Sequence, residues 1–244
     1  MLRPRIIPVL QLYDGKLVKT RQFKSPNYIG DPLNAVRIFN EKRVDELIIC
    51  DISPDRFSRS SNIKMLQHIF SECEMPVTYG GGICSFEMAS EIFHLGCEKV
   101  IFNTAFYNNL ECIHEVAKNF GSQAVSVSLD YRYSFLRKEK FYKNSGREVV
   151  QFSLKEIIDR LYNIEAGELL LNFIDNDGTF KGYDYFLLKK IKEKINIPIV
   201  LLGGCNQNST SSAAINCGAH SVAASSRFIY HGPHNAVLIK YERF

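Results

Sequence analysis

The sequence predicts an α/β fold, a closed (β/α)8 TIM barrel built from two similar half-barrels. The length of 244 residues is close to the roughly 250 of a one-domain barrel. Eight short apolar runs alternate with longer amphipathic stretches from end to end, the pattern of repeated βα units. The halves also repeat one another at an offset of roughly 120 residues, as an internally duplicated barrel should. Cys50-Asp51-Ile52, Tyr79-Gly80-Gly81-Gly82 and Phe102-Asn103-Thr104-Ala105 return as Ile174-Asp175-Asn176-Asp177, Leu202-Gly203-Gly204-Cys205 and Ala223-Ala224-Ser225-Ser226.

In chain order, the expected strands are Ile6–Gln11, Glu46–Asp51, Pro76–Tyr79, Lys99–Asn103, Ala124–Asp130, Glu168–Phe173, Pro198–Leu202 and Ser221–Ala224. They are rich in Val, Ile and Leu with little alternation, as parallel strands covered by helices should be. Helices are expected over Pro32–Arg43, Phe86–Phe93, Leu154–Leu161 and Tyr185–Ile195. Asp31-Pro32 is a helix start, and Ser153 with Glu156 forms a capping box. Eight strands with helices between them call for closure; an open doubly wound sheet is the alternative. No linker or composition break divides residues 1–244, so one domain is expected.

Composition narrows the function. Apolar residues at 45% and charged residues at 23% are ordinary globular usage. A net charge of +4 is too small to argue for nucleic acid, though a local cluster of Lys16, Lys19, Arg21 and Lys24 suits an anionic small molecule. The seven cysteines include no CxxC pair and no Cys/His ligand spacing, so reduced thiols are expected, with no metal site and no disulfide framework. The opening run is too short for a signal peptide, and no stretch approaches the roughly 18 apolar residues of a membrane span. A cytoplasmic, soluble protein is the expectation. His68, His94 and His114 read as outer residues of helices, not catalysts.

A barrel of this kind carries its chemistry at the C-terminal ends of its strands. Gly81 and Gly82 follow strand three, Asn103 and Thr104 strand four, Gly203 and Gly204 strand seven, and Ala224 and Ser225 strand eight. Glycine lets backbone N–H groups approach an anion closely, and a hydroxyl residue opening a helix adds a donor. Two matched sets predict two phosphate cradles facing one cavity, where one set alone reads as a tight turn. Asp51, Asp130, Asp175 and Asp177 lie at or just past strand ends, placed for proton transfer or for holding a ligand hydroxyl. Asp51 reads equally well as a helix cap, and Asp177-Gly178-Thr179 as a turn. Lys19 is expected on a first loop able to close over substrate, or else as a solvated surface lysine.

Several runs together resemble the cyclase subunit of imidazole glycerol phosphate synthase. They are Asp14-Gly15 with Val18-Lys19, Asp45-Glu46-Leu47, Gly80-Gly81-Gly82-Ile83, Phe120-Gly121-Ser122-Gln123-Ala124-Val125 and Ile174-Asp175-Asn176-Asp177-Gly178-Thr179. Gly182-Tyr183-Asp184 speaks against the sister isomerase of histidine biosynthesis. The resemblance covers nearly the whole chain and implies a glutaminase partner, whose ammonia crosses the barrel to a bisphosphorylated nucleotide without metal or organic cofactor. It implies an ammonia gate at the N-terminal face from Arg5, Glu46, Lys99 and Glu168. It also implies two catalytic aspartates on opposite strands. Asp130 matches one; the other position holds Gln11, whose amide cannot exchange a proton near neutral pH. Asn172 stands where the family usually has threonine, and Arg132–Lys140 is a basic, aromatic segment.

Retained gate and phosphate loops with one aspartate missing resemble a paralogue encoded with bacterial surface-polysaccharide genes. Such a paralogue supplies ammonia, with a glutaminase, to a separate sugar amidotransferase. The alternatives are a true cyclase in which Asp175 or Asp177 compensates for Gln11, and a non-catalytic activator of a glutaminase.

Overall fold

The computed structural model describes residues 4–54, 63–206 and 211–243; the first three residues of the opening run lie outside them. Eight parallel strands close on themselves: β1 (Arg5–Tyr13), β2 (Leu47–Asp51), β3 (Val77–Gly80), β4 (Lys99–Phe102), β5 (Val125–Tyr133), β6 (Glu168–Phe173), β7 (Ile199–Leu202) and β8 (Ser221–Ala224). Each pairs with its sequence neighbours, β8 returns to β1, and β5 meets β6 to complete the ring. All eight expected strands are present, Glu168–Phe173 and Ser221–Ala224 with the expected bounds and the others shifted by one to three residues at one or both ends. The open-sheet alternative is excluded.

Closure needs stagger between strands, and the register supplies it. A row of paired residues beginning with Gln11 at the mouth passes Cys50, Gly80, Ile101 and Ser126, then arrives at Glu168 at the opposite rim. Inward positions recur every second residue along each strand. At the N-terminal rim they are Arg5, Glu46, Thr78, Lys99, Ser126, Glu168 and Ser221. Above them lies an apolar girdle of Ile7, Val9, Ile48, Ile101, Leu170, Val200 and Ala223. Polar side chains return at the mouth. The outward faces of the strands pack with the helices in a second, larger core that includes Leu10, Phe39, Leu47, Ile92, Val127, Leu169 and Leu201.

The helices follow their caps. The Asp31 carboxylate accepts from Leu33 N at 2.8 Å, and Pro32 opens Pro32–Glu41. This helix stops short of the expected Arg43, which takes a left-handed φ of 50°. The Ser153–Glu156 capping box forms and opens Leu154–Asn163. Asp184 caps Tyr185–Lys192, which ends before the expected Ile195. Phe86–His94 runs one residue past its expected end. His68, His94 and His114 are exposed on helices, as expected.

Two hairpins at the mouth were not read from the sequence. After β1 the chain turns through Asp14-Gly15, both at positive φ, and forms Lys16–Arg21 against Lys24–Gly30. Asp-Gly is the pair such a two-residue turn favours, so this signal was present. The second hairpin extends β5 back through Glu139–Lys143, which pairs in turn with Glu148–Val149.

Candidate functional site

At the N-terminal rim the four charged residues form a closed ring. The Arg5 guanidinium donates to Glu46 on one side and Glu168 on the other. Lys99 Nζ lies 3.1 Å from Glu46 Oε1 and 3.5 Å from Glu168 Oε2. Thr78 Oγ1 donates to Glu46 at 2.6 Å, and Arg5 Nε donates to Ser221 Oγ at 3.1 Å. Burial opposes the Arg5 charge, but Glu168 and Glu46 outweigh it and raise its pKa. Glu46 and Glu168 are buried, whereas Arg5 and Lys99 are partly exposed.

At the mouth, a cavity of about 320 Å³ is lined by Gln11, Lys19, Cys50, Asp51, Gly81, Gly82, Asn103, Thr104, Asp130, Asn172, Asp177 and Ser225, among others. Asp130 projects inward from β5. Burial is the main cause that lifts its pKa to about 6, and Asp177 adds to the rise. Hydrogen bonds from Ser128 Oγ (2.9 Å) and Asn172 Nδ2 (3.1 Å), both to Oδ1, oppose it. This carboxyl is therefore poised to exchange a proton near neutral pH.

Across the barrel, Gln11 is tied to the first hairpin. Its Oε1 accepts from Thr20 N at 2.9 Å, Thr20 Oγ1 at 3.2 Å and Lys19 Nζ at 3.5 Å. Lys19 donates to Asp177 at 2.9 and 3.2 Å. With 2% of its surface exposed, Lys19 is neither a surface lysine nor on an open loop. The hairpin tip completes the latch: Gln22 N donates to Asp177 O and Gln22 Nε2 to Asp175 O. The Asp175 side chain, in contrast, is half-exposed beside Arg132 at 3.6 Å and does not line the cavity.

The two glycine sets occupy matched positions, beside two cavities that share part of their lining. Gly81 and Gly82 line the main cavity. Gly178, Gly203, Gly204 and Ala224 line a neighbouring cavity of about 10 Å³ with Ser226 and Arg227; Asp177, Leu202 and Ser225 border both. That volume suits about one water, far less room than the main cavity offers beside Gly81 and Gly82. Both glycine turns are forced by close approach. A Cβ on Gly81 (φ +144°) would lie 2.5 Å from Asp51 O, and one on Gly203 (φ +99°) 2.6 Å from Phe173 O.

Other expected ligands are partly engaged within the chain. Asn103 Nδ2 donates to Ser128 O and Tyr142 O, and Thr104 Oγ1 accepts from Asn144 N. Asp51 Oδ1 accepts from Ser53 N at 2.9 Å and Ser53 Oγ at 2.6 Å, a local turn just past the strand end. Ser225 Oγ and Ser226 Oγ are buried without a hydrogen-bond partner among the described residues. Residues that sequence reasoning missed include Ser128, Thr20 and Arg147, which also line the main cavity. Arg147 arrives from the second hairpin, whose fold gave no period-two signal. None of the seven cysteines is in a disulfide, and no helix among the described residues is long and apolar enough to cross a membrane.

The model of the histidine biosynthesis protein family matches residues 5–234. A protein of Pseudomonas aeruginosa, provisionally named imidazole glycerol phosphate synthase subunit hisF2, is 43% identical over 99% of this chain and 96% of its own length. One from Leptospira interrogans, provisionally named subunit HisF of the same synthase, is 41% identical with the same coverage. Imidazole glycerol phosphate synthase subunit HisF of Chlorobaculum parvum is 36% identical over 95% of this chain and 91% of its own. The chain therefore belongs to the histidine biosynthesis protein family, as a HisF-like homologue of the imidazole glycerol phosphate synthase cyclase subunit.

Proposed function

We propose that this barrel carries ammonia from a glutaminase docked at its N-terminal rim to a separate amidotransferase that modifies a bacterial surface sugar. The observation that carries this reading is Gln11. The position where the family uses a proton-exchanging aspartate holds an amide, and its oxygen is occupied by Lys19 and Thr20 of the hairpin. Asp130 is left without a carboxylate across from it at residue 11. Losing one general acid–base group costs roughly 100- to 10,000-fold in rate.

Conduction draws support from the layered interior. The ring of Arg5, Glu46, Lys99 and Glu168 closes the inlet by mutual pairing, and a docking partner that competes for one of these charges parts it. Beyond it, the apolar girdle disfavours ammonium and admits neutral ammonia, because desolvating a charge costs far more than desolvating a neutral amine. Relatives whose names carry the numeral 2 or 3 fit a role beside the ordinary synthase subunit.

Complementation of a histidine auxotroph lacking its cyclase tests this reading. No growth is expected, together with stimulation of the co-encoded glutaminase by the purified chain. Gln11→Asp is expected to restore measurable cyclisation; if cyclisation stays undetectable, Gln11 is not the reason for its absence. Robust growth of the auxotroph with the unmodified chain establishes the second reading, a genuine cyclase. That reading draws support from the Asp130 pKa of about 6. Its proposed compensators fare unequally: Asp175 does not line the cavity, while Asp177 does but is ion-paired with Lys19. Glutaminase stimulation with no ammonia transfer to any acceptor leaves the third, a non-catalytic activator.

A further inference from the structure

We infer that the tip of the second mouth hairpin is a docking knob for a protein partner that covers the C-terminal mouth through an apolar pocket rimmed by acidic side chains. The inference deepens the proposed function by assigning the surface on which the ammonia-consuming enzyme sits.

The turn joining Tyr133 to Glu139 carries Ser134, Phe135, Leu136, Arg137 and Lys138. Phe135 is fully exposed (102%) and Leu136 is 76% exposed. Large apolar side chains on a monomer surface are common singly, but an adjacent pair held wholly in water marks a contact site when the backbone presents it rigidly. Here it does. Ser134 N donates to Lys138 O at 2.8 Å, Arg137 N to Ser134 O at 2.9 Å, and Lys138 N to Ser134 Oγ at 3.2 Å. At the base of the hairpin, the Tyr131 and Tyr133 hydroxyls both donate to Asp184 Oδ2. Phe186, 64% exposed, stands edge-on to the Tyr133 ring at 6.1 Å, beside the base of the hairpin.

Charge decides the partner's chemistry. Arg137, Lys138 and Lys140 are exposed, and no ion pair among the described residues engages them, whereas the one acid of the turn region, Glu139, is paired with Lys190. The knob is thus apolar at its tip and cationic at its flanks, which complements an acidic rim. A lipid surface would satisfy the same side chains, but it would press against the face on which the 320 Å³ cavity opens and obstruct exchange with it. A protein can carry a matching channel.

The test uses the full chain with its co-encoded glutaminase and the co-encoded ammonia-consuming enzyme as probe. Binding is measured by sedimentation, alongside flotation with vesicles containing anionic lipid. The wild-type chain is expected to bind the acceptor enzyme. Phe135→Ser with Leu136→Ser is expected to weaken that binding at least tenfold, and Arg137→Glu with Lys138→Glu to weaken it and reduce its salt dependence. Glutaminase stimulation, which uses the opposite rim, is expected to be unchanged in both variants and so reports that they remain folded. Equal binding by wild type and variants, no binding by wild type, capture by vesicles alone, or self-association through the tip each overturns the inference. Failure of the wild-type chain to stimulate the glutaminase instead overturns the conduit reading and leaves the knob to be judged by acceptor binding.

Discussion

Replacing Asp130 by asparagine isolates the cost of keeping a carboxylate inside the mouth. Both hydrogen bonds to Asp130, from Ser128 and Asn172, reach the same oxygen, Oδ1. An asparagine can accept both through its own Oδ1, so the change removes charge with little change of shape. Folding raises the Asp130 pKa from 3.8 to about 6, chiefly by burial. A carboxyl whose pKa rises on folding holds its proton more tightly in the native state. Its penalty is therefore absent below the unfolded value, grows as pH climbs from about 4 to about 6, and persists above that. Two pKa units correspond to about 3 kcal/mol as a ceiling. Urea denaturation at pH 4.5 and pH 8 is the assay. Asp130→Asn is expected to be the more stable protein at pH 8, by up to ~3 kcal/mol, with most of that gain gone at pH 4.5. A gain of equal size at both pH values, or a loss at pH 8, would refute an ionised, poorly solvated Asp130.

The latch and the rim give further expectations. Lys19→Met strands the buried Asp177 carboxylate, so limited proteolysis between residues 16 and 30 should accelerate and stability fall by roughly 3 kcal/mol; an unchanged digestion pattern would contradict the latch. Arg5→Ala leaves Glu46 and Glu168 to share Lys99, which should cost roughly 3 kcal/mol in urea denaturation and open the N-terminal rim to solvent. Gly81→Ala should cost about 2 kcal/mol or more from its φ of +144° and its contact with Asp51 O, whereas Gly30→Ala, with open space around it, should be near neutral. Equal thermal midpoints for these two variants would undercut the account of the glycine turn.

The barrel was legible because its strands advertise burial on both faces. Val, Ile and Leu runs such as Leu169-Leu170-Leu171 admit few other readings in an alternating chain. Asp130 followed from its place at a strand end, whereas the rim ring was reached only through the family resemblance. The hairpins were opaque for a physical reason. Lys24–Gly30 is almost wholly exposed, so selection for burial has left no apolar period in it. Without the hairpin, Lys19 had no visible partner, and its pairing with Asp177, some 158 positions away in the chain, could not be foreseen. The constriction around Gly203 and Gly204 was hidden likewise. Gly178 there is backed by Thr20 and Arg21, two residues whose place only the folded hairpin reveals.

The hydrocarbon belt across the middle of the cylinder separates the side chains of the two rims, so few polar contacts run from one to the other. It is interrupted by Ser128, whose hydroxyl turns upward to Asp130. Among the described residues, the Gln11 side chain bonds only to Thr20 and Lys19 of the hairpin, so an exchange of acid for amide there breaks no contact of the four-charge ring at the far rim. Residues at the mouth can therefore change without unmaking the contacts that hold the opposite end together, and on the proposed reading this is how one scaffold could pass from making a product to feeding another enzyme.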